Sequence, residues 1–303
     1  MQAIVLGSAA GGGVPQWNCR CPVCSLAWAG DPRVTPRTQS SLAVSSDGVN
    51  WLLLNASPDL RAQIAATRAL HPRLGERHSP ISAVVVTNGD VDHIAGLLTL
   101  RESQPFTLFG TAETLAMVNA NPVFGVVNPA LVPRRTVALG EAFAPLPGLT
   151  LEMFAVPGKV PLWQEDPRQG EYLGIGAETG GTVGVTLSGN GRRIVYIPGC
   201  AAITETVRAR IAGADLLLFD GTLYRDDEMV AAGTGVKTGA RMGHLSMSGA
   251  DGTVALLADV PAARRVFIHI NNTNPALIED SSERRTVEAA GWIVARDGME
   301  FAL

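Results

Sequence analysis

The feature that most constrains the fold is a succession of short apolar runs, most of them stopped by Gly, Pro, Asn or Asp, that recurs along the whole chain. Residues 3–6, 41–44, 51–55, 83–87, 106–109, 149–156, 182–187, 193–197, 215–220 and 265–270 read as strands. Helical patterns fall between some of them, at 58–70, 113–118, 203–211, 248–258 and 281–290, with Ser248 expected to cap the fourth three residues ahead of Asp251. Strands that come in hairpin-like groups and then alternate with helices predict sheets covered by helices, an α/β layered fold. No stretch repeats at a fixed period. A Gly- and Pro-rich segment, 157–181, is expected to be a long loop or a seam between two halves of one domain spanning 1–303.

Composition narrows the partners. Apolar residues make up 46% and charged residues 17% of the 303, which excludes coiled coil, collagen-like and disordered chains. With 24 basic against 28 acidic residues and no Lys/Arg run longer than a pair such as Arg134-Arg135, nucleic acid is excluded as the principal partner. A small ligand or peptide fits better. The first eight residues carry an apolar stretch of only four, with no basic residue before Arg20, unlike a signal peptide. No apolar run reaches the ~18 to 20 residues of a membrane span. A cytoplasmic location is expected, and cysteines there serve metals more readily than disulfides.

Three thiols lie within Cys19-Arg20-Cys21-Pro22-Val23-Cys24. A turn forced by Pro22 can point all three sulfurs at one centre, and a structural zinc needs four such donors in a tetrahedron. The fourth must come from elsewhere, since no Cys or His is close in sequence. The alternative is a reduced, ligand-free thiol cluster or a redox pair. Cys200, behind Gly199, reads as an ordinary buried thiol.

A second cluster follows the strand at 83–87: Asn88-Gly89-Asp90-Val91-Asp92-His93-Ile94-Ala95-Gly96. Adjacent Asp92 and His93 at the end of a buried strand are costly unless paired or bound to a metal, although an isolated Asp-His pair also serves as a helix cap. The glycine-rich stretches 7–13 and 233–239 lack the residue order of nucleotide-binding loops. Lys159, Lys237 and Arg241 are candidates for holding substrate carboxylates, against the default role of surface cations in solubility.

In this order, the motifs resemble the metallo-β-lactamase superfamily. Its His-x-His-x-Asp-His-x-x-Gly signature falls on Asn88, Asp90, Asp92, His93 and Gly96. The opening residues 6–15, followed by the three cysteines, look like its phosphodiesterase and tRNA-processing branch. Asn55 stands where the family usually has Asp, Cys200 where it has a metal-bridging Asp, and the runs around Asp220, His244 and His269 resemble its last three motifs. Together with Trp17-Asn18 before the cysteines and His269-Ile270-Asn271-Asn272-Thr273-Asn274-Pro275, the chain resembles the pyrroloquinoline quinone (PQQ) biosynthesis protein B family.

That resemblance implies an αββα four-layer sandwich, a structural zinc on Cys19, Cys21 and Cys24, and a role in making PQQ from a peptide carrying Glu and Tyr. The departures bear on mechanism. Asn88 and Asp90 replace two leading histidines, residues 156–159 offer no third, and a two-metal hydrolytic mechanism is poorly supported. Asp92, His93 and His269 survive. Two histidines and one carboxylate with open positions suit a non-haem Fe(II) oxygenase, and three ligands with an open position equally describe catalytic zinc. The resemblance points to iron-dependent hydroxylation of a precursor tyrosine by dioxygen. Asp90 is then a further ligand, a base, or an acceptor that orients a histidine. Asp220 and His244 stand where family members transfer protons, or form a structural hydrogen-bonded pair. Two rival functions are a non-catalytic carrier of PQQ or its precursor towards export, and a mononuclear zinc hydrolase that trims the precursor.

Overall fold

The computed structural model describes residues 1–159 and 175–303. The first sheet is built from β1 (Gln2–Gly7), β2 (Ser41–Ser45), β3 (Trp51–Leu54), β4 (Ile81–Val85), β5 (Thr107–Gly110) and β6 (Arg134–Thr136). The second contains β7 (Ala142–Leu146), β8 (Leu149–Gly158), β9 (Ala177–Gly189), β10 (Arg192–Ile197), β11 (Leu216–Asp220), β12 (Arg265–Ile268) and β13 (Trp292–Val294). The last strand, β14 (Glu300–Ala302), returns to the first sheet, giving the orders β14-β1-β2-β3-β4-β5-β6 and β13-β12-β11-β10-β9-β8-β7.

The central strands of both sheets are buried on both faces, and the side-chain period of two sorts their residues into layers. In β3, Leu52 and Leu54 point between the sheets, while Trp51 and Leu53 point outward. In β11, Leu216 and Leu218 point between the sheets, while Leu217 and Phe219 point outward. The outer face of the first sheet is covered by α2 (Leu60–Ala66) and α4 (Ala112–Ala120), through Leu60, Leu115 and Val118. On the outer face of the second sit α1 (Pro22–Trp28), α5 (Glu205–Ile211), α7 (Thr253–Leu256) and α8 (Ser282–Ala289). Two short helices, α3 (Val91–Ile94) and α6 (Glu228–Ala231), lie in loops. The result is helix, sheet, sheet, helix, the metallo-β-lactamase sandwich. Each fully buried Leu or Phe in these layers contributes roughly 1.5 to 3 kcal/mol of transfer free energy. Trp292 adds an aromatic stack on Phe267, with ring centroids 4.1 Å apart.

The chain changes sheet between β6 and β7, ahead of the seam expected at 157–181. Of that segment, Pro157 and Gly158 end β8, opposite Glu178 and Ala177 of β9, and residues 160–174 lie outside the described residues. The Ser248 cap is also corrected: its hydroxyl donates to Tyr224 O at 2.6 Å, and α7 begins only after Gly252. No helix among the described residues is long and apolar enough to cross a membrane.

Strands β3, β4 and β5 run parallel, as do β10, β11 and β12. Their carboxyl ends open onto the same edge of the sandwich, where open α/β sheets gather their ligands.

Candidate metal centre

Asp92 and His93 reach this edge on the single turn α3. Backbone bonds lock it to the loop after β3: Ala56 N donates to His93 O and Gly96 N donates to Ala56 O, both at 2.8 Å. A Cβ at Gly96 would stand 2.2 Å from Ser57 O, so only glycine permits this approach. His269 follows β12 with φ +59°, a left-handed conformation costing on the order of 1 to 3 kcal/mol outside glycine. Its neighbours hold it there, because Ile270 N donates to Ser8 O and Asn271 N to Thr222 O, each at 2.9 Å.

The three side chains converge. Asp92 Oδ2 lies 3.0 Å from His269 Nε2 and 3.8 Å from His93 Nε2, and one donor atom from each residue falls within 4.8 Å of the others. Burial alone would raise the Asp92 pKa, but the electrostatic pull of the adjoining His93 and His269 rings and the bond to His269 hold it well below the carboxylate range. Burial pulls the His93 pKa down despite Asp92, so its imidazole is neutral. For His269, burial is outweighed by the bond and charge of Asp92, and the pKa rises.

The two ring nitrogens of His93 differ in their surroundings. Its Nδ1 is 2.6 Å from Asn88 Oδ1, an acceptor, so the proton sits on Nδ1. Its Nε2 is buried with no hydrogen-bond partner among the described residues. An unmatched buried nitrogen costs about 1 to 3 kcal/mol, and a cation shared with Asp92 and His269 would satisfy it. These three residues therefore fit a metal, and Asp220, His244 and His269 form a second group whose donor atoms also lie within 4.8 Å of one another, with His269 common to both.

A second set stands beside it. Asp220, at the end of β11, accepts from Cys200 N at 2.9 Å and lies 2.7 Å from His244 Nδ1. Thr222 Oγ1 lies 2.7 Å from Asp220 Oδ1 and 2.9 Å from His269 Nδ1. Donating to the carboxylate leaves the Thr222 oxygen as acceptor for the histidine, which turns His269 Nε2 toward Asp92. Burial would raise the Asp220 pKa, but His244 and the hydrogen bonds hold it low. The His244 and His269 rings stack at 5.3 Å.

A cavity of about 480 Å³ opens over these groups, lined by Asp92, His244 and His269 on one side and by Lys159, Lys237 and Met229 among others. Arg241, expected to join the two lysines, is half-buried on the turn Ala240–Met242 and is not among the cavity-lining residues. Asp90 lines the cavity, accepts from Asn88 Nδ2 at 3.2 Å and lies 3.9 Å from Lys159 Nζ. The acceptor that orients a histidine is thus Asn88, and Asp90 belongs to none of the three donor groups formed by described residues. Cys200 is buried, its thiol pushed up by burial and by Asp220 and donating to Ala202 O at 3.0 Å. Sequence reasoning passed over Asn88 and Thr222 as site residues. The only signal was that Asn88 occupies a ligand position of the signature and that Thr222 follows Asp220 by two.

The three cysteines gather apart from the cavity. Cys21 caps α1, its sulfur accepting from Cys24 N at 3.5 Å, and Pro22 takes the first helical position. All three sulfurs are buried and within 4.8 Å of one another. Burial pushes the Cys21 thiol up to about 12 and raises Cys24 as well, so negative charge on these sulfurs needs a cation beside them.

The layered fold and the loop after β4 define the chain as a member of the metallo-β-lactamase superfamily, and the profile of the beta-lactamase superfamily domain matches residues 50–270. Within it, the chain belongs to the coenzyme PQQ synthesis protein B family. It is 64% identical to the coenzyme PQQ synthesis protein B of Methylorubrum extorquens (strain PA1) and 53% identical to that of Xanthomonas oryzae pv. oryzae, over 100% of each chain. The crystal structure of Zn(2+)-bound PqqB from Methylobacterium extorquens superposes with a TM-score of 0.98 at 63% identity, covering both chains completely. A diphosphatase from the PhnP family, at 22% identity and TM-score 0.69 over 100% of this chain and 97% of its own, shares the fold.

Proposed function

We propose that the chain acts in PQQ biosynthesis as a mononuclear metal-dependent oxygenase that hydroxylates the tyrosine ring of a Glu- and Tyr-derived precursor. The observation that carries this reading is the neutral, unpartnered Nε2 of His93 facing Asp92 and His269, which makes one two-histidine, one-carboxylate set beside an open cavity. Fe(II) held there would supply dioxygen activation; zinc suits the same donors, and a Zn(2+)-bound relative is known. Insertion of one oxygen atom into a ring C–H bond leaves the second atom as water, with two electrons from an external reductant. This chain's own residues do the rest. Lys159 and Lys237 hold precursor carboxylates at the cavity wall. Asp220 fixes the His244 ring through Nδ1, leaving Nε2 to take the phenol proton. Thr222 and Asn88 fix the tautomers of His269 and His93. Cys19, Cys21 and Cys24 hold a separate structural zinc.

The test is turnover of a tyrosine-containing dipeptide with Fe(II) and reductant, in air and under strict anaerobiosis. Oxygen consumption with a hydroxylated ring supports the oxygenase. Oxygen-independent cleavage replaces it with a hydrolase, and tight binding of PQQ-like ligands without any turnover replaces it with a carrier.

A further inference from the structure

The loop after His269 brings one more polar side chain to the cavity wall. Asn271 is 8% exposed and lines the cavity two residues beyond His269. Its backbone is fully engaged, the N–H donating to Thr222 O at 2.9 Å and the carbonyl accepting from Asn274 N at 3.0 Å. Its carboxamide is only half engaged. Nδ2 donates to Thr273 Oγ1 at 2.6 Å, whereas Oδ1 accepts from no described residue. The sense of that bond is set from behind. Thr273 has a single hydroxyl proton and gives it to Glu228 Oε1 at 2.6 Å, so toward Asn271 its oxygen acts as acceptor. The amide therefore presents nitrogen to Thr273 and oxygen to the cavity. Glu228 is anchored in turn, its Oε2 accepting from Tyr224 N at 2.8 Å.

The other polar groups of the wall are already engaged. Thr222 is bonded to Asp220 and His269, and Asp90 accepts from Asn88 and faces Lys159. Gln16, the other carboxamide lining the cavity, is less buried and gives its Nε2 to Asn18 at 2.8 Å. We propose that Asn271 Oδ1 is the acceptor for the primary amino group of the substrate, and that Thr273 and Glu228 are positioning residues that keep this oxygen turned to the cavity. The inference rests on the Glu- and Tyr-derived precursor named above and holds whichever reaction follows. Such a precursor carries three kinds of polar group. Its carboxylates suit Lys159 and Lys237, and its phenol suits His244. The amino group, a donor, is matched by the buried oxygen that has none. A neutral oxygen also serves better than another carboxylate, which would compete for the metal two residues from His269. A ligand without the amino group leaves Oδ1 unsatisfied and binds less tightly.

The test compares the Glu-Tyr dipeptide with glutaryl-tyrosine, the same molecule lacking the amino group. Calorimetric binding to the full chain loaded with zinc reads affinity without turnover, above pH 7, where the Glu228 carboxyl is ionised. The parent is expected to bind the dipeptide at least about tenfold more tightly than glutaryl-tyrosine. Asn271→Ala should weaken the dipeptide alone and bring the two affinities together. Thr273→Val, close to Thr in shape, should reduce the ratio because Asn271 loses the partner that orients it, and Thr273→Ser should restore it. The Thr273 pair carries the test if Asn271→Ala does not fold. A purely structural role lowers both affinities together and leaves their ratio intact. Equal binding of the two ligands by the parent, or an unchanged ratio in Asn271→Ala or Thr273→Val, overturns the assignment. A parent that binds neither ligand overturns the precursor reading, and the inference falls with it.

Discussion

Cys19, Cys21 and Cys24 come from one turn at the start of α1, whereas Asp92 and His269 come from loops on different sheets, 177 residues apart. The cysteine cluster is closed: its sulfurs are buried and none lines the cavity. The histidine cluster is open, with Asp92 and His269 in the cavity wall and one nitrogen of His93 unmatched. Soft donors in a sealed turn suit a metal that holds structure, and mixed donors at the mouth of a cavity suit one that meets substrate. What separates the two roles is access and sequence distance more than the number of ligands.

The sharpest way to break this contrast is His269→Ala. It should strip the metal from the open cluster and abolish hydroxylation while leaving zinc on the cysteines, so metal analysis drops by one equivalent only. Retention of both metals at native affinity would show that the open cluster is not a metal centre. Next in size is Cys19→Ser combined with Cys21→Ser. Structural zinc contributes roughly 10 to 16 kcal/mol in isolated finger peptides, but here three apolar layers remain, so a melting loss on the order of 10 °C is expected together with one zinc. An unchanged melting temperature and zinc content would remove the structural role.

Glu228 tests the link between the clusters. Its Oε1 accepts from Thr273 Oγ1 at 2.6 Å, and Thr273 in turn accepts from Asn271 Nδ2 at 2.6 Å, in the loop after His269. Burial raises the Glu228 carboxyl from 4.5 to about 7 against those hydrogen bonds. The folded chain keeps this proton where the unfolded chain releases it. The stabilisation is therefore complete below about pH 4.5 and lost as pH climbs through about 7, worth up to roughly 3 kcal/mol. Denaturant unfolding of Glu228→Gln, whose amide cannot ionise, should show a flatter pH profile across that window, and a profile parallel to the parent's would discount the buried proton. The smallest effect is expected from Asn88→Ala, which leaves His93 Nδ1 unmatched and should weaken metal binding in the open cluster about 10- to 100-fold. Asn88→Asp restores an acceptor and should restore affinity, with cysteine-bound zinc unchanged in both. Equal loss in both variants would mean that Asn88 acts through packing.

The same contrast explains what could be read from the sequence. Strands β10 and β11 were legible because both faces are apolar and their ends are punctuated. Strands β6, β7, β13 and β14 were not, since each is short, lies at a sheet edge and carries too little pattern to register. Ser248 illustrates the ambiguity of caps, because its hydroxyl satisfies a loop carbonyl as readily as a helix end. The four-layer arrangement came from motif resemblance, since a period of two gives layers without their order. At the site, Asp92 and His93 were legible as costly ionisable neighbours at the end of a buried strand, and Asp220, His244 and His269 through motif resemblance. Asn88, Thr222 and Asn272 were not, because an amide or hydroxyl carries no cost signal until the loops that face it are known. Asn272 meets Cys19 across 253 residues of sequence.

The return of β14 to β1 sets a timetable for synthesis. Strand β1 emerges from the ribosome with β2 on one flank, and its other flank pairs with β14, from Gln2 opposite Ala302 to Ile4 opposite Glu300. A nascent chain carries that open strand edge, an invitation to neighbouring chains, until residues 300–302 have been made. Closure of so distant a pair is also slow, since contacts of high sequence separation form late. His269 is translated shortly before β14, so the last donor of the open cluster and the last seam of the first sheet become available within one short interval of translation.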